Sequence, residues 1–365
     1  MKRHYYIFSN GKLIRRQNTL YFEESKEQEL REETEESPDT DLLEVEDTQA
    51  EESEESQEPK RVQRKPIPVE DIESLYCFSE LKFNTKFLNF IAKNQITLHL
   101  FNYYGYYSGS FYPREPFVSG RLLVEQVSCY RDPEKRLALA RKFVSGAADN
   151  MLKNLQYYNA RQRDMEPFIQ AIKKYMTGID QSRDIPSLMG IEGNIRSTYY
   201  ESWHLIITEA IDFKKREKHP PTNPVNALIS FGNSLVYTTV LSEIYKTQLN
   251  PLISFLHEPG ERRFSLSLDI AEIFKPLLAD RVIFTLLNKK MLGGKDFEKD
   301  LGYCYLSEQG RKIFVKEFDD KIKTTIKHRK LNKQVSYRHL IRLECYKIIK
   351  HILGDSQYQP FTIWW

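Results

Sequence analysis

The sequence predicts an α+β protein in which a small N-terminal β-rich domain is followed by a larger all-α domain. Up to residue 112, short runs of β-branched and aromatic residues are punctuated by Gly, Asn and Pro. From about Arg121, apolar residues recur at three- and four-residue spacing over long segments, the period of a helix buried on one face. Between these regimes, Pro113 and Pro116 mark a linker at 113–120. The expected domains are therefore 1–112 and 121–365, and a chain of 365 residues has ample length for two cores.

In chain order, HYYIF (His4–Phe8), KLIRR (Lys12–Arg16) and TLYF (Thr19–Phe22) read as strands, and Asn10-Gly11 between the first two predicts a hairpin. Residues at about 23–60 carry no aromatic side chain and are rich in Glu, Ser and Gln, so an acidic, disordered or loosely helical insertion is expected there. Strand character resumes over Ile67–Phe78, a short helix is expected over Asn84–Asn94, and Ile96–Phe101 reads as a strand. The tyrosine-rich stretch Asn102–Pro113 follows. Helical periodicity then runs through Pro133–Tyr158, Glu192–Lys214, Val225–Lys246 and Asp269–Lys289. Asn223-Pro224 has the form of a cap followed by proline at the first helical position, and Pro276 should kink or reset its helix. The last long segment, Arg311–His351, holds 13 Lys or Arg against 4 acidic residues and leads to the apolar tail PFTIWW.

The net charge of +3 conceals a split. From Glu23 to Glu58 there are 18 acidic residues against Lys26 and Arg31, a charge of −16, which leaves +19 on the rest. A surplus of that size favours a phosphate-backbone partner, although anionic membranes also attract basic proteins. The acidic segment reads most simply as a solvated loop. The alternative is that its mobile charge competes with DNA, in which case deleting residues 25–58 would tighten DNA binding at low salt. No apolar run is long enough to span a bilayer and no secretory signal opens the chain. Cys77, Cys129, Cys304 and Cys345 form no CxxC pair and fit reduced, buried thiols of a cytoplasmic protein.

Phosphate loops, dinucleotide fingerprints, nucleophile elbows and HExxH helices are all missing from the sequence. Phosphodiester chemistry would then require a divalent metal. The stretch His257–Pro276, HEPGERRFSLSLDIAEIFKP, combines one imidazole with several carboxylates. Asp269 and Glu272 are three apart and share a helix face, among Leu266, Leu268, Ile270, Ile273 and Phe274. Carboxylates at the edge of a core need a compensating partner, and this donor set suits Mg²⁺ or Mn²⁺. A surface turn and a capped helix start account for the same residues equally well. In MGIEGNIRSTYY, Glu192 lies between Gly190 and Gly193 and reads as the start of a helix, with Arg196 and Tyr199 following. A favourable glutamate at a helix N-terminus is the equal alternative.

GIEGNIRSTYY, NPVNALISFGNSLVY and LHEPGERRFSLSLDIAEIFKP, in this order and spacing, resemble the CRISPR adaptation integrase and endonuclease family, the first-numbered CRISPR-associated protein. IPVEDIESLYCF and LNFIAKNQITLHLFNYYGYYSGSFYPRE resemble its β domain and linker, so the likeness spans nearly the whole chain outside the acidic insertion. It implies a helical catalytic domain with a metal, Mg²⁺ or Mn²⁺, held by Glu192, His257 and Glu272. Asp269 would be an auxiliary acid, and Arg196 and Tyr199 candidate DNA contacts. Many members carry aspartate where Glu272 stands. The resemblance further implies a homodimer working with the second-numbered CRISPR-associated protein on double-stranded DNA, prespacer and CRISPR repeat, and not on a membrane. A DNA 3′-hydroxyl would be joined to a repeat phosphodiester. A metal-dependent nuclease on branched DNA and a non-catalytic DNA-binding scaffold are the competing readings. His99, His204, Glu209 and His351 are expected to be structural or exposed, and Glu258 and Glu261 turn residues. Tyr103, Tyr104, Tyr106 and Tyr107 are expected to pack within the β domain rather than stack on bases.

Overall fold

The structure is a computed structural model that describes residues 2–25, 64–114, 117–207, 213, 216–217, 221–261, 264–300 and 302–364. From residue 26 onward the expected acidic insertion lies outside the described residues, as does Glu209. Contacts divide the chain into two units, one of residues 1–100 with 109–114, the other of 101–108 with 115–365.

The first unit contains β1 (Arg3–Ile7), β2 (Gly11–Arg16), β3 (Thr19–Glu24), β4 (Arg64–Pro68), β5 (Ile72–Cys77), β6 (Leu81–Lys82), helix α1 (Thr85–Lys93), β7 (Thr97–Phe101) and part of β8 (Tyr107–Phe111). Two four-stranded sheets run in the orders β1-β5-β7-β8 and β4-β3-β2-β6. The expected hairpin at Asn10-Gly11 does not form, because β1 pairs in parallel with β5 while β2 pairs with β3 in the other sheet. Gly11 serves a close approach instead: a Cβ there would lie 2.3 Å from the Glu23 carbonyl oxygen. Leu13, Leu20, Ile72, Leu75, Phe87, Ile91 and Ile96 fill the core at zero exposure. Asn84 caps α1 by accepting from the Phe87 amide.

The second unit is mostly helical: α2 (Gly120–Arg131), α3 (Pro133–Asn159), α4 (Glu166–Met176), α5 (Ile185–Glu201), the short α6 (Trp203–Ile206), α7 (Pro224–Ile244), α8 (Ser265–Lys275), α9 (Arg281–Asn288), α10 (Glu308–Lys323) and α11 (Tyr337–Ile352). It is not purely α, since β9 (Phe297–Asp300) with β10 (Tyr303–Leu306), and β11 (Thr325–Lys327) with β12 (Gln334–Ser336), form two short hairpins. The second hairpin interrupts the long basic segment read as one stretch. Tyr103 and Tyr104 form ring contacts with Tyr303 and Tyr305, and Tyr107 with Tyr237, so they pack in this unit rather than in the β unit.

Asn223 caps α7 with Pro224 in its first turn, as the sequence indicates. This helix is apolar nearly all round and runs through the core against α8 and α11. A buried ion network ties α7 to α11: Glu243, at zero exposure, meets Lys246, Arg338 and Arg342. The three cations outweigh the cost of burial and hold its carboxyl down at about 2.

Pro276 does reset its helix. Without an amide hydrogen it cannot continue the α8 ladder, and Pro276–Asp280 form a wide π-turn before α9 begins. Two asparagines one turn apart on α3 satisfy carbonyls of this break. Asn150 donates to the Ile273 carbonyl (2.9 Å), and Asn154 to that of Pro276 (2.8 Å). Asn150 also accepts from the Ile363 amide at 2.7 Å, while Phe361 stacks on Phe274. The apolar tail is therefore core packing. All four cysteines are buried and free, and among the described residues no helix is long and apolar enough to cross a membrane.

Candidate active site

Glu192 comes from the middle of α5, not from its start. Asp184 caps the helix, accepting from the Ser187 amide at 2.8 Å, and Pro186 occupies its first turn. Gly190 and Gly193 are thus interior glycines, which cost a helix about 1 kcal/mol each relative to alanine. A Cβ at either would meet nothing within 4 Å, so no packing among the described residues accounts for them. They leave bare helix surface on both sides of Glu192.

Positions 192, 196 and 199 fall at helical spacing on one face of α5. Arg196 Nε donates to Glu192 Oε1 at 2.6 Å, and the same guanidinium donates to Glu272 Oε2 of α8. Lys275, one turn beyond Glu272, donates to its other oxygen at 2.7 Å. Burial pushes the Glu272 carboxyl upward, but Arg196, then Lys275, then His257 overcome this and hold it well below the ordinary range. The side chains of Glu192, Arg196 and Glu272 are only 17%, 14% and 8% exposed.

His257 sits in the irregular segment after α7. Its ring Nδ1 donates to Asp269 Oδ1 at 2.8 Å, which leaves Nε2 as the nitrogen with a lone pair. Asp269 is fully buried and also accepts from three backbone amides, those of Phe255 (2.7 Å), Leu256 (3.0 Å) and His257 (3.0 Å). It thereby orients the imidazole and folds the segment that carries it.

The elbow between α2 and α3 clamps the same segment. Buried Gln126 donates to the carbonyls of Asn250 and Ile253, both at 2.9 Å, and accepts from the Asn250 amide at 3.0 Å. Arg136 donates to the Phe255 carbonyl (2.9 Å) and pairs with Glu258 (2.6 Å), and Tyr130 donates to Glu258 as well. Glu258, expected to be only a turn residue, is an anchor. The sequence carries little signal for these contacts, because the partners lie about 120 residues apart.

Tyr199 does not match the expectation of a DNA contact. It is 1% exposed, its hydroxyl donating to Asp280 at 3.0 Å and accepting from Asn154 at 2.9 Å. Arg196 faces the two carboxylates. His99 bonds Ser110, His204 bonds a main-chain carbonyl and His351 accepts from the Tyr358 amide, all in structural roles. Among the described residues, no three His, Cys, Asp or Glu side chains meet in the geometry of a bound ion. Glu192 and Glu272 are joined through the guanidinium between them. The donor set nevertheless suits a hard divalent cation: two carboxylates, one of them held firmly ionised, and an imidazole whose tautomer is set from behind.

Residues 5–320 match the family model described as CRISPR associated protein Cas1. A CRISPR-associated endonuclease Cas1 of Thermodesulfovibrio yellowstonii is 49% identical over 363 residues, covering 100% of both chains. A solved CAS1 protein from Thermotoga maritima is 35% identical, with a TM-score of 0.80 over 98% of this chain and 99% of that one. A casposase bound to its integration product shares the fold at a TM-score of 0.79 and 17% identity, over 99% of this chain and 93% of that one. Largely buried carboxylates on α5 and α8, an oriented imidazole in the segment between α7 and α8, and this full-length likeness lead to one conclusion: the chain belongs to the Cas1 family of CRISPR-associated proteins.

Proposed function

We propose that this protein is a metal-dependent DNA endonuclease and integrase that joins a DNA 3′-hydroxyl to a CRISPR repeat phosphodiester, inserting new spacers. The observation that carries this reading is the convergence of Glu192 and Glu272, from separate helices, on one guanidinium, with an imidazole tethered by Asp269 near enough to act electrostatically on Glu272. Glu192, His257 and Glu272 would hold Mg²⁺ or Mn²⁺. When bound, such an ion polarises the phosphodiester and lowers the proton affinity of the attacking hydroxyl.

The residues around that site do the rest. Asp269 keeps the His257 proton on Nδ1, so that Nε2 presents a lone pair. Lys275 and Arg196 hold Glu272 ionised in a nearly dry setting. The bare helix surface at Gly190 and Gly193 lets a DNA backbone come close to Glu192. The +19 surplus outside the acidic segment supplies backbone affinity that salt weakens. Support for integration comes from the Cas1 family itself and from a fold also used by a casposase bound to integration product. On this reading the chain works as a homodimer with the second-numbered CRISPR-associated protein, on double-stranded prespacer and repeat DNA.

The test is strand transfer into a repeat-containing plasmid, with and without that small partner. Glu192→Ala should lower transfer and hydrolysis by at least about 1,000-fold, the scale set by losing a group that stabilises a transition state. A Glu192→Ala protein that retains wild-type transfer would make the chain a scaffold, and hydrolysis without transfer would make it a nuclease only.

A further inference from the structure

Resting on the metal-site reading above, we propose that Arg196 is a tethered counter-cation competing with the metal for Glu192 and Glu272, displaced when a DNA phosphate takes up its guanidinium. Metal and DNA binding would then be coupled through this one side chain.

The oxygens at issue are identifiable. Arg196 Nε engages Glu192 Oε1, and its terminal nitrogen engages Glu272 Oε2. Glu272 Oε1 is in use by Lys275. Among the described residues only Glu192 Oε2 of these four oxygens accepts no hydrogen bond, so an ion shared by both glutamates meets Arg196 or Lys275 at Glu272. Arginine cannot shed its proton to make room, so only movement of the guanidinium releases Glu192 Oε1 and Glu272 Oε2.

Charge points the same way. Arg196 and Lys275 together balance Glu192 and Glu272, while Asp269 has its acceptor capacity taken up by three amides and the His257 ring. A divalent ion entering this nearly buried cluster, where two cations already face the two glutamates, would add two further positive charges. A phosphodiester brings negative charge, and the planar guanidinium fork is matched to phosphate oxygens. The partial exposure of Arg196 and the bare helix surface at Gly193 give a phosphate a way to reach it. Linkage makes the coupling reciprocal, so the metal should tighten DNA binding by the same factor.

The experiment titrates Mn²⁺ into the full-length protein, following free Mn²⁺ by electron paramagnetic resonance, with and without a short DNA duplex. In the wild type, DNA should tighten Mn²⁺ binding by about tenfold or more, equivalent to about 1.4 kcal/mol of coupling. Arg196→Met should bind Mn²⁺ about tenfold tighter than wild type without DNA, and the effect of DNA should shrink. Its melting temperature should fall without Mn²⁺ and recover on adding it, because the ion then compensates the carboxylates. Arg196→Lys, a point charge without the fork, should fall between the two. If Arg196→Met fails to fold even with Mn²⁺, Arg196→Lys decides the matter, and Mn²⁺ affinity equal to wild type with an unchanged DNA effect overturns the proposal. Equal DNA-free affinities in all three proteins overturn it while leaving the metal site standing. No Mn²⁺ binding by any of them, with or without DNA, overturns the metal-site reading and the proposal with it.

Discussion

Asp269→Asn should lower the proposed metal-dependent activity by about 10- to 100-fold, the usual cost of losing a group that orients an imidazole ligand. It should also cost about 3 kcal/mol of stability. The buried carboxylate accepts four hydrogen bonds, from the amides of Phe255, Leu256 and His257 and from the His257 ring. An asparagine keeps the shape but places an NH₂ against donors on one side, breaking at least two of those bonds in a site without water access. Whichever way the amide turns, either the Phe255–Leu256 turn or the imidazole loses its acceptor. Thermal melting without metal and cleavage with metal measure the two effects separately. A variant that melts like wild type and retains full activity would remove Asp269 from this role.

A second large effect is pH-dependent. Asp280, at the end of the π-turn, is 3% exposed, and its pKa is raised from 3.8 to about 7. Burial is the main cause. The Tyr199 hydroxyl, then Arg196 and Lys275, pull it partly back, while Glu272 pushes it further up. The folded state therefore holds this proton more tightly than the unfolded chain does. The associated stability is fully present below about 3.8 and is lost as pH rises through about 7. Asp280→Asn removes the charge while keeping an acceptor for Tyr199. Above pH 7 it should be more stable than wild type by up to about 4 kcal/mol, with the difference vanishing near pH 4. Denaturant melts of both proteins across this range provide the check, and a difference independent of pH would show that Asp280 is not the titrating group.

What could be read from the sequence was mostly local. Pro276 ends one helix and begins another because it lacks an amide hydrogen, and Asn223-Pro224 caps as its chemistry requires. The i,i+3 spacing of Asp269 and Glu272 does place both on the buried side of α8. Glu192 and Arg196 are i,i+4 neighbours, but Arg196 was read as a DNA contact, and neither its pairing with Glu192 nor its bridge to Glu272 was drawn from that spacing. Misreadings arose where long-range pairing decides. The parallel partner of β1 lies about seventy residues away, so a local Asn-Gly signal could not assign its sheet. The start of α5 was legible in Asp184, Pro186 and Ser187, but the two glycines around Glu192 suggested a later beginning. Tyr199 shares the helical face of Glu192 and Arg196, yet it lies one turn deeper, where Asp280 and Asn154 claim its hydroxyl. Periodicity gives the face of a helix and not the depth along it.

Anomalous diffraction from crystals grown with Mn²⁺ and DNA decides whether Glu192, His257 and Glu272 form one metal site. A single strong peak per chain is expected within coordinating distance of a carboxylate oxygen from each glutamate and of His257 Nε2, with Asp269 still on Nδ1. A peak ligated by other residues, or none at this position while the crystals retain DNA and activity, would contradict a shared site.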